Sequence, residues 1–308
     1  IMPGMTHLQN GQPVRVGHVL GAYAAMLVRD SKRFAAIYDE CLWALPLGSA
    51  AFAGTSLPMD LEALARDLGF DRSTLNSYDA VSDRDFLVSL LQGFNLLNAH
   101  LARLMEDIIY WASAPVGLIQ LPADWSTGSS IMPNKRNPDV AELLRAKCSR
   151  QTMRLAEATS IYKAIPTSYG TDLHEMKKTC IDAICEQREM LAAAVPFVGG
   201  LKFSAERARQ LCERGHILAT EIADLLTAKG MAFRDAYGLV AAWTEQASQQ
   251  NCQIHQLAEY PDLPKGVTKP DIQAISFEQA VERRTAPGGT AKAAVAATLT
   301  QLRNLCRQ

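Results

Sequence analysis

The stretch 83–114, DRDFLVSLLQGFNLLNAHLARLMEDIIYWASA, decides the fold class. Within it Leu87, Leu90, Phe94, Leu97, Leu101, Leu104, Ile108 and Trp111 recur at three- and four-residue steps, the spacing of one face of an α-helix. Ser82 or Asp83 suits the N-terminal end, and the helix must stop before Pro115, which cannot continue it. A helix of about thirty residues is far longer than the globular mean, and its apolar stripe needs equally long partners. The spacing therefore predicts an extended helical bundle.

Working outward, similar periodicity predicts helices from about Pro13 to Ala44, Pro138 to Ala164 and Asp172 to Val195. The last of these carries Cys180, Ile184 and Met190 on mixed faces, a pattern expected of a helix covered by neighbouring subunits. After Gly199 and Gly200 the expected helices shorten to roughly 204–213, 216–229, 233–249 and 290–306, interrupted by Pro261, Pro264, Pro270 and Pro287. No convincing strand alternation appears. The expected fold is all-α, with a long-helix bundle over 1–200 and a smaller helical C-terminal domain over 201–308.

A chain of 308 residues is long enough to bury a substantial core. Its net charge of -1 provides no global field for nucleic acid or an anionic membrane, so a small molecule is the expected partner. The seven cysteines, at 41, 148, 180, 185, 212, 252 and 306, form no Cys-x-x-Cys pair and no compact cluster with histidine. Neither a disulfide framework nor a metal site is expected, and a reducing cytoplasm is the default location. Ile1 opens directly into a motif rather than a signal peptide, and no apolar run is long enough to span a bilayer.

Between two predicted helices lies Ser126-Thr127-Gly128-Ser129-Ser130-Ile131-Met132-Pro133-Asn134-Lys135-Arg136-Asn137-Pro138-Asp139. Gly128 frees the backbone to bend, while Pro133 and Pro138 keep the segment from joining either flanking helix. Pro138 suits the first position of the following helix, whose early amides and positive dipole end favour a carboxylate nearby. Lys135, Arg136 and Asn137 add donors there. The stretch reads as a bounded loop able to grip an anion.

The order of residues in this loop resembles the signature loop of the fumarase/aspartase superfamily, and Asn137-Pro138-Asp139 with Val140 to Arg145 resembles its argininosuccinate lyase branch. Three further segments carry the likeness. They are Met2-Pro3-Gly4-Met5-Thr6-His7-Leu8-Gln9 with Gln12-Pro13-Val14, then Asn76 to Phe86, then Gly288-Gly289-Thr290-Ala291. The resemblance implies a fold of long helices assembled as a homotetramer, with active sites shared between subunits. It also implies a domain ahead of the threonine-histidine motif. The implied reaction is β-elimination of a carbon–nitrogen bond of argininosuccinate to give arginine and fumarate, without a cofactor.

Such a reaction needs a base for a weakly acidic proton, stabilisation of the dianion that forms, and a proton for the leaving nitrogen. The resemblance assigns the base to Ser129, with Ser130 beside it. It places Lys135 and Asn137 on the substrate carboxylate, Thr6, His7 and Gln9 around the substrate with His7 serving in proton transfer, and Glu142 and Arg84 in support. A serine alkoxide requires neighbouring amides and exclusion of water. The commoner role of a serine beside glycine is to hydrogen-bond its own loop.

The segment Ser168 to Lys177 resembles the part of the family that meets the amine end of the substrate, through Tyr169, residue 174 and Lys177. Gly170, Thr171, His174 and Met176 depart from the family pattern, and an imidazole at 174 in place of an amide changes the hydrogen bonds on offer. Two alternatives stand beside argininosuccinate: another N-substituted aspartate, and a non-catalytic crystallin-like scaffold. His174-Glu175 lacks a second histidine at zinc-binding spacing, and His18, His100, His216 and His255 are expected to be structural.

Overall fold

The computed structural model describes residues 1–307. In chain order the elements are β1 (Met2–Thr6), β2 (Gln9–Val14), α1 (Val16–Leu42), α2 (Leu61–Leu68), α3 (Ser77–Ala80), α4 (Asp85–Ala112), β3 (Ile119–Gln120), β4 (Thr127–Gly128), β5 (Arg136–Asn137), α5 (Asp139–Tyr162) and α6 (Leu173–Gly199). They continue with β6 (Lys202–Phe203), α7 (Ala205–Cys212), α8 (Ala219–Ala228), α9 (Phe233–Gln249), α10 (Lys269–Gln273), α11 (Phe277–Glu282) and α12 (Lys292–Leu305). Helix dominates, as the periodicity predicts, and among the described residues no helix is long and apolar enough to cross a membrane.

The chain forms two compact units. One comprises Ile1–Ala25, Ser113–Gln120 and the segment from Lys202 onward; the other comprises Met26–Ala112 and Leu121–Leu201. The first 25 residues group with the later segment, so neither unit is contiguous in sequence.

In the unit built on the long helices, α4 packs along α5, and α5 along α6. The predicted stripe of α4 is its inner face: Phe94, Leu97, Leu101, Leu104, Ile108 and Trp111 are all buried. Leu91, Phe94, Ala158, Leu173, Met176, Cys180 and Ala183 form one apolar cluster, joined by Phe34 from α1. Gly93 lets α1 approach, since a Cβ there would lie 2.9 Å from Ile37 Cδ1 and 3.0 Å from Phe34 Cε1.

The core also carries polar pairs. Asn98 donates to Gln187 Oε1 at 2.7 Å and Gln151 to the Ala183 carbonyl at 3.0 Å. Glu186 is buried beneath Lys147, Arg150 and Arg154. Burial works to raise its carboxyl, but these three cations hold it below the usual carboxylate range.

The mixed-face reading of α6 is corrected. Cys180 and Met190 are 2% and 1% exposed and Ile184 packs against the same core, so all three are covered within the chain. The outward apolar groups are instead Ile181, Leu191 and Val195. The helix also continues one turn past Val195, through Pro196, to Gly199.

In the other unit the core is built from α8, α9 and the turns that follow, with Trp243 at its centre. The indole donates to the Pro261 carbonyl at 3.0 Å and packs edge-on against Tyr260. Helices α10 and α11, both unexpected, start with reciprocal caps from Thr268 with Asp271 and Ser276 with Gln279.

Among the described residues six short strands accompany the helices of this all-α fold. Three two-stranded ladders form, β1 with β2, β3 with β6 and β4 with β5. Pro13 therefore lies in β2, opposite Pro3, and α1 begins at Val16 rather than at Pro13. Strands of two residues, and a hairpin written in Met, Pro, Gly and Gln, carry no alternation for a pattern reading to find.

Candidate active site

The 126–139 segment is a hairpin rather than a free loop. Thr127 pairs with Asn137 and Gly128 with Arg136, leaving Ser129 to Lys135 as the tip. The freedom of Gly128 is not used: its φ is not positive, and a Cβ would meet nothing closer than the Lys135 carbonyl at 3.9 Å. Pro138 caps α5 instead of opening it, so Asp139 is the first helical residue. The Asp139 carboxylate accepts from the Thr127 amide at 3.1 Å and fastens the near strand to the helix. Sequence reasoning gave Asp139 no such role, although it stands in the motif.

At the tip, Ser129 Oγ accepts two backbone N–H groups, from Ile131 at 3.2 Å and Met132 at 3.0 Å. The Lys135 amide donates to the Met132 carbonyl at 3.1 Å and closes the turn. Ser129 and Asn137 are partly buried, whereas Ser130 and Lys135 are exposed. Lys135 has no ion-pair partner among the described residues. Glu142 is exposed in the first turn of α5, where an acidic group suits the helix dipole.

A second cluster lies at the start of α6. Ser168 has a positive φ of 76° in the turn before it, and Tyr169 Oη and His174 Nε2 share a hydrogen bond of 2.5 Å. Their rings meet edge-on at 6.2 Å. His174 and Lys177 line a shallow cavity of about 240 Å³ together with Lys178, Ile181 and Asp182. Arg84 stands apart from both clusters in role. Its amide donates to Tyr162 Oη at 3.2 Å and its guanidinium to the Asp83 carbonyl at 2.5 Å, so it closes the start of α4 instead of pairing with the acidic side chains around it.

The third cluster belongs to the other unit. Strands β1 and β2 are joined by a two-residue turn closed by Thr6 and Gln9, with His7 and Leu8 at its centre. Both have positive φ, 54° and 59°, as a type I′ turn requires. Asn and Gly are the usual residues there, and a branched or bulky side chain costs on the order of 1 kcal/mol in this conformation. The turn presents Thr6, His7 and Gln9 as exposed side chains at a hairpin tip.

Residues outside the predicted set fix that hairpin. The Asn10 amide donates to the Leu211 carbonyl at 3.3 Å and the Arg214 carbonyl at 3.1 Å, at the end of α7. The Arg15 amide donates to Thr290 Oγ1 at 2.8 Å, which gives the Gly288-Gly289-Thr290-Ala291 motif a structural partner. These contacts join residues about two hundred or more positions apart, so no local pattern announces them.

The chain matches a family model described as Lyase over residues 1–152 and one described as Argininosuccinate lyase C-terminal over residues 216–282. It is 41% identical over 305 residues to an argininosuccinate lyase of Desulfovibrio desulfuricans, covering 98% of this chain and 65% of that protein. Against an argininosuccinate lyase of Nitrosomonas eutropha the identity is 39% over 309 residues, covering 99% of this chain and 66% of the relative. The chain thus spans slightly less than two thirds of the length of the curated relatives it matches. Among solved structures, EDDS lyase in complex with formate superposes with a TM-score of 0.88 at 25% identity, over 99% of this chain and 63% of that one. Near-complete alignment to these relatives, with both family models in chain order and the signature hairpin folded around Ser129, establishes that the chain belongs to the argininosuccinate lyase family of the fumarase/aspartase superfamily.

Proposed function

We propose that the protein is a carbon–nitrogen lyase that cleaves argininosuccinate to arginine and fumarate by β-elimination. The observation that carries this reading is the pair of backbone amides on Ser129 Oγ. Two N–H groups directed at one hydroxyl oxygen stabilise negative charge on it, which is what a serine needs to act as a base. Ser129 then takes the proton beside the carboxylate of the succinyl group. Lys135 and Asn137 hold the dianion that results, more strongly in the transition state than in the ground state. The carbon–nitrogen bond breaks as the double bond of fumarate forms, and the departing nitrogen takes a proton, with His7 serving that transfer. Thr6, Gln9 and Ser130 bind substrate, Glu142 supports the arrangement, and Arg84 contributes only by closing the start of α4.

The three clusters lie on separate hairpins and helix starts, and most of their side chains are exposed. Support for a homotetramer with shared sites comes from this exposure and from outward apolar side chains on α5 and α6, among them Leu143, Met153 and Val195. In such an assembly, clusters from different copies complete one site. A cytoplasmic location follows from the same reading.

A second reading keeps the elimination and changes the amine. Gly170, Thr171, His174 and Met176 depart from the family segment that meets the amine end, and His174 is already engaged with Tyr169. EDDS lyase, a structural neighbour at a TM-score of 0.88, is a lyase not named for argininosuccinate, and this supports a different substrate. Product analysis separates the two. Fumarate and arginine in equal amounts from argininosuccinate support the first, whereas no turnover of argininosuccinate, with fumarate released from another N-substituted aspartate, supports the second. Absence of fumarate from every such substrate would leave a scaffold.

A further inference from the structure

We infer that Thr290 is a positioning residue for His7: its hydroxyl holds the base of the hairpin that presents the histidine. The inference rests on the proposed role of His7 and adds to it a residue more than 280 positions away in sequence.

Thr290 is only 5% exposed, and its hydroxyl accepts the amide of Arg15, the residue that follows β2, at 2.8 Å. The side chain of Arg15 is held from the same segment, because its guanidinium bonds Glu282. Glu282 in turn accepts from the Lys292 amide at 3.4 Å. Main chain and side chain of Arg15 are thus both fixed by residues 282–292.

The turn that presents Thr290 is itself rigid. Gly289 donates to the Ala286 carbonyl at 2.8 Å and Ala291 to the Arg284 carbonyl at 3.1 Å. A Cβ on Gly289 would lie 2.2 Å from the Arg284 carbonyl oxygen, so no side chain is tolerated. Gly288 has a φ of 78°, and the Arg284 guanidinium is bound to Glu221 and, at 3.1 Å, to Asp224. A polar group presented so firmly and so completely buried gives the hairpin a fixed base.

That base matters because the tip is strained. His7 and Leu8 hold positive φ only while the β1–β2 ladder imposes it, and the ladder is anchored through β2, by Asn10 near its start and by Arg15 just past its end. Release of the Arg15 anchor lets the ladder and its tip move. A displacement of about 1 Å at a reacting group is enough to lower turnover by an order of magnitude or more.

The test is Thr290→Val, which keeps the volume and removes the acceptor, measured in the assembled protein with Thr290→Ser as the conservative control. Amide hydrogen exchange over residues 2–15 is expected to accelerate in the valine variant alone, with other segments unchanged. Turnover of argininosuccinate is expected to fall about ten-fold, with KM rising as well because Thr6 and Gln9 share the hairpin with His7, and the serine variant to recover both. In a His7→Asn background Thr290→Val is expected to add little. If the valine variant does not fold, Thr290→Ala, which leaves room for a water, takes its place with the same expectations. Unchanged exchange in the hairpin, or losses that add fully to those of His7→Asn, would overturn the inference. Full turnover in His7→Asn alone would remove the proposed role of His7, while the exchange data would still decide whether Thr290 holds the hairpin.

Discussion

The hydroxyl oxygen of Ser129 accepts the backbone amide of Met132 at 3.0 Å. With the Ile131 amide at 3.2 Å this is the ordinary local bonding of a serine in a turn, and equally the environment that lowers the cost of an alkoxide. The two readings of this serine, as a loop-bonding residue and as a base, describe the same geometry.

Lys135 lies exposed at the hairpin tip and touches no part of either core. Lys135→Ala is therefore expected to lower turnover about 10²- to 10³-fold, by analogy with loss of one electrostatic donor, while thermal unfolding shifts little. Equal loss of helicity and activity would count against the assignment.

Gly289→Ala is expected to destabilise the protein severely, by about 3 kcal/mol or more, since the new Cβ meets backbone that cannot retreat. Gly93→Ala meets only the flexible ends of Phe34 and Ile37 and gains helix propensity, so its effect is expected to be about 1 kcal/mol or less. Denaturant unfolding of the two variants checks the order. A milder effect at Gly289 would mean that the turn holding Thr290 is not fixed as described.

His216 has its Nδ1 against the Ile254 amide at 3.2 Å and its Nε2 against Ser248 Oγ at 2.9 Å. An amide donor at Nδ1 requires the neutral ring. Burial lowers the pKa of His216 below the ordinary 6.5, and burial does the same to His255, where Glu213 opposes the shift and His216 adds to it. The folded state therefore binds fewer protons here than the unfolded state. Stability from this pair is complete above 6.5 and is lost as pH falls through the lowered folded values. The urea midpoint is expected to be lower near pH 5.5 than near pH 7.5, and His216→Gln to flatten that dependence. An unchanged midpoint in the unsubstituted protein would contradict it.

Thiol labelling should divide the cysteines by burial. Cys148 is pushed up to about 11 and Cys212 to about 12, in both cases chiefly by burial, and Cys180 is raised for the same reason. These three are expected to resist a thiol reagent until the protein is denatured, whereas Cys306, exposed on the last turn, reacts in the native state. Native labelling of Cys148 by peptide mapping would show that the packing of α5 is looser than described.

What the sequence made legible was whatever repeats along one face or reads as a contiguous motif. The stripe of α4 and the bounds of α9, 233–249, follow from spacing alone. The signature hairpin was recognisable by its residues, but the amides that meet Ser129 depend on a turn geometry that composition does not encode. The β1–β2 hairpin was missed because Pro13 reads as a helix start and His7-Leu8 lacks the Asn-Gly signal of a two-residue turn. Caps such as Thr268 with Asp271 were written locally and could have been read. The bonds from Asn10 to Leu211 and from Arg15 to Thr290 could not, because they arise only when distant segments fold against one another.

The claim that Ser129 is the base is tested most directly by Ser129→Ala. The substitution removes one acceptor from a partly exposed hairpin tip and is expected to leave helicity and assembly intact. With argininosuccinate supplied, release of fumarate is expected to fall at least about 10³-fold with KM little changed. Retention of most of the turnover by a folded, fully assembled Ser129→Ala protein would contradict the account.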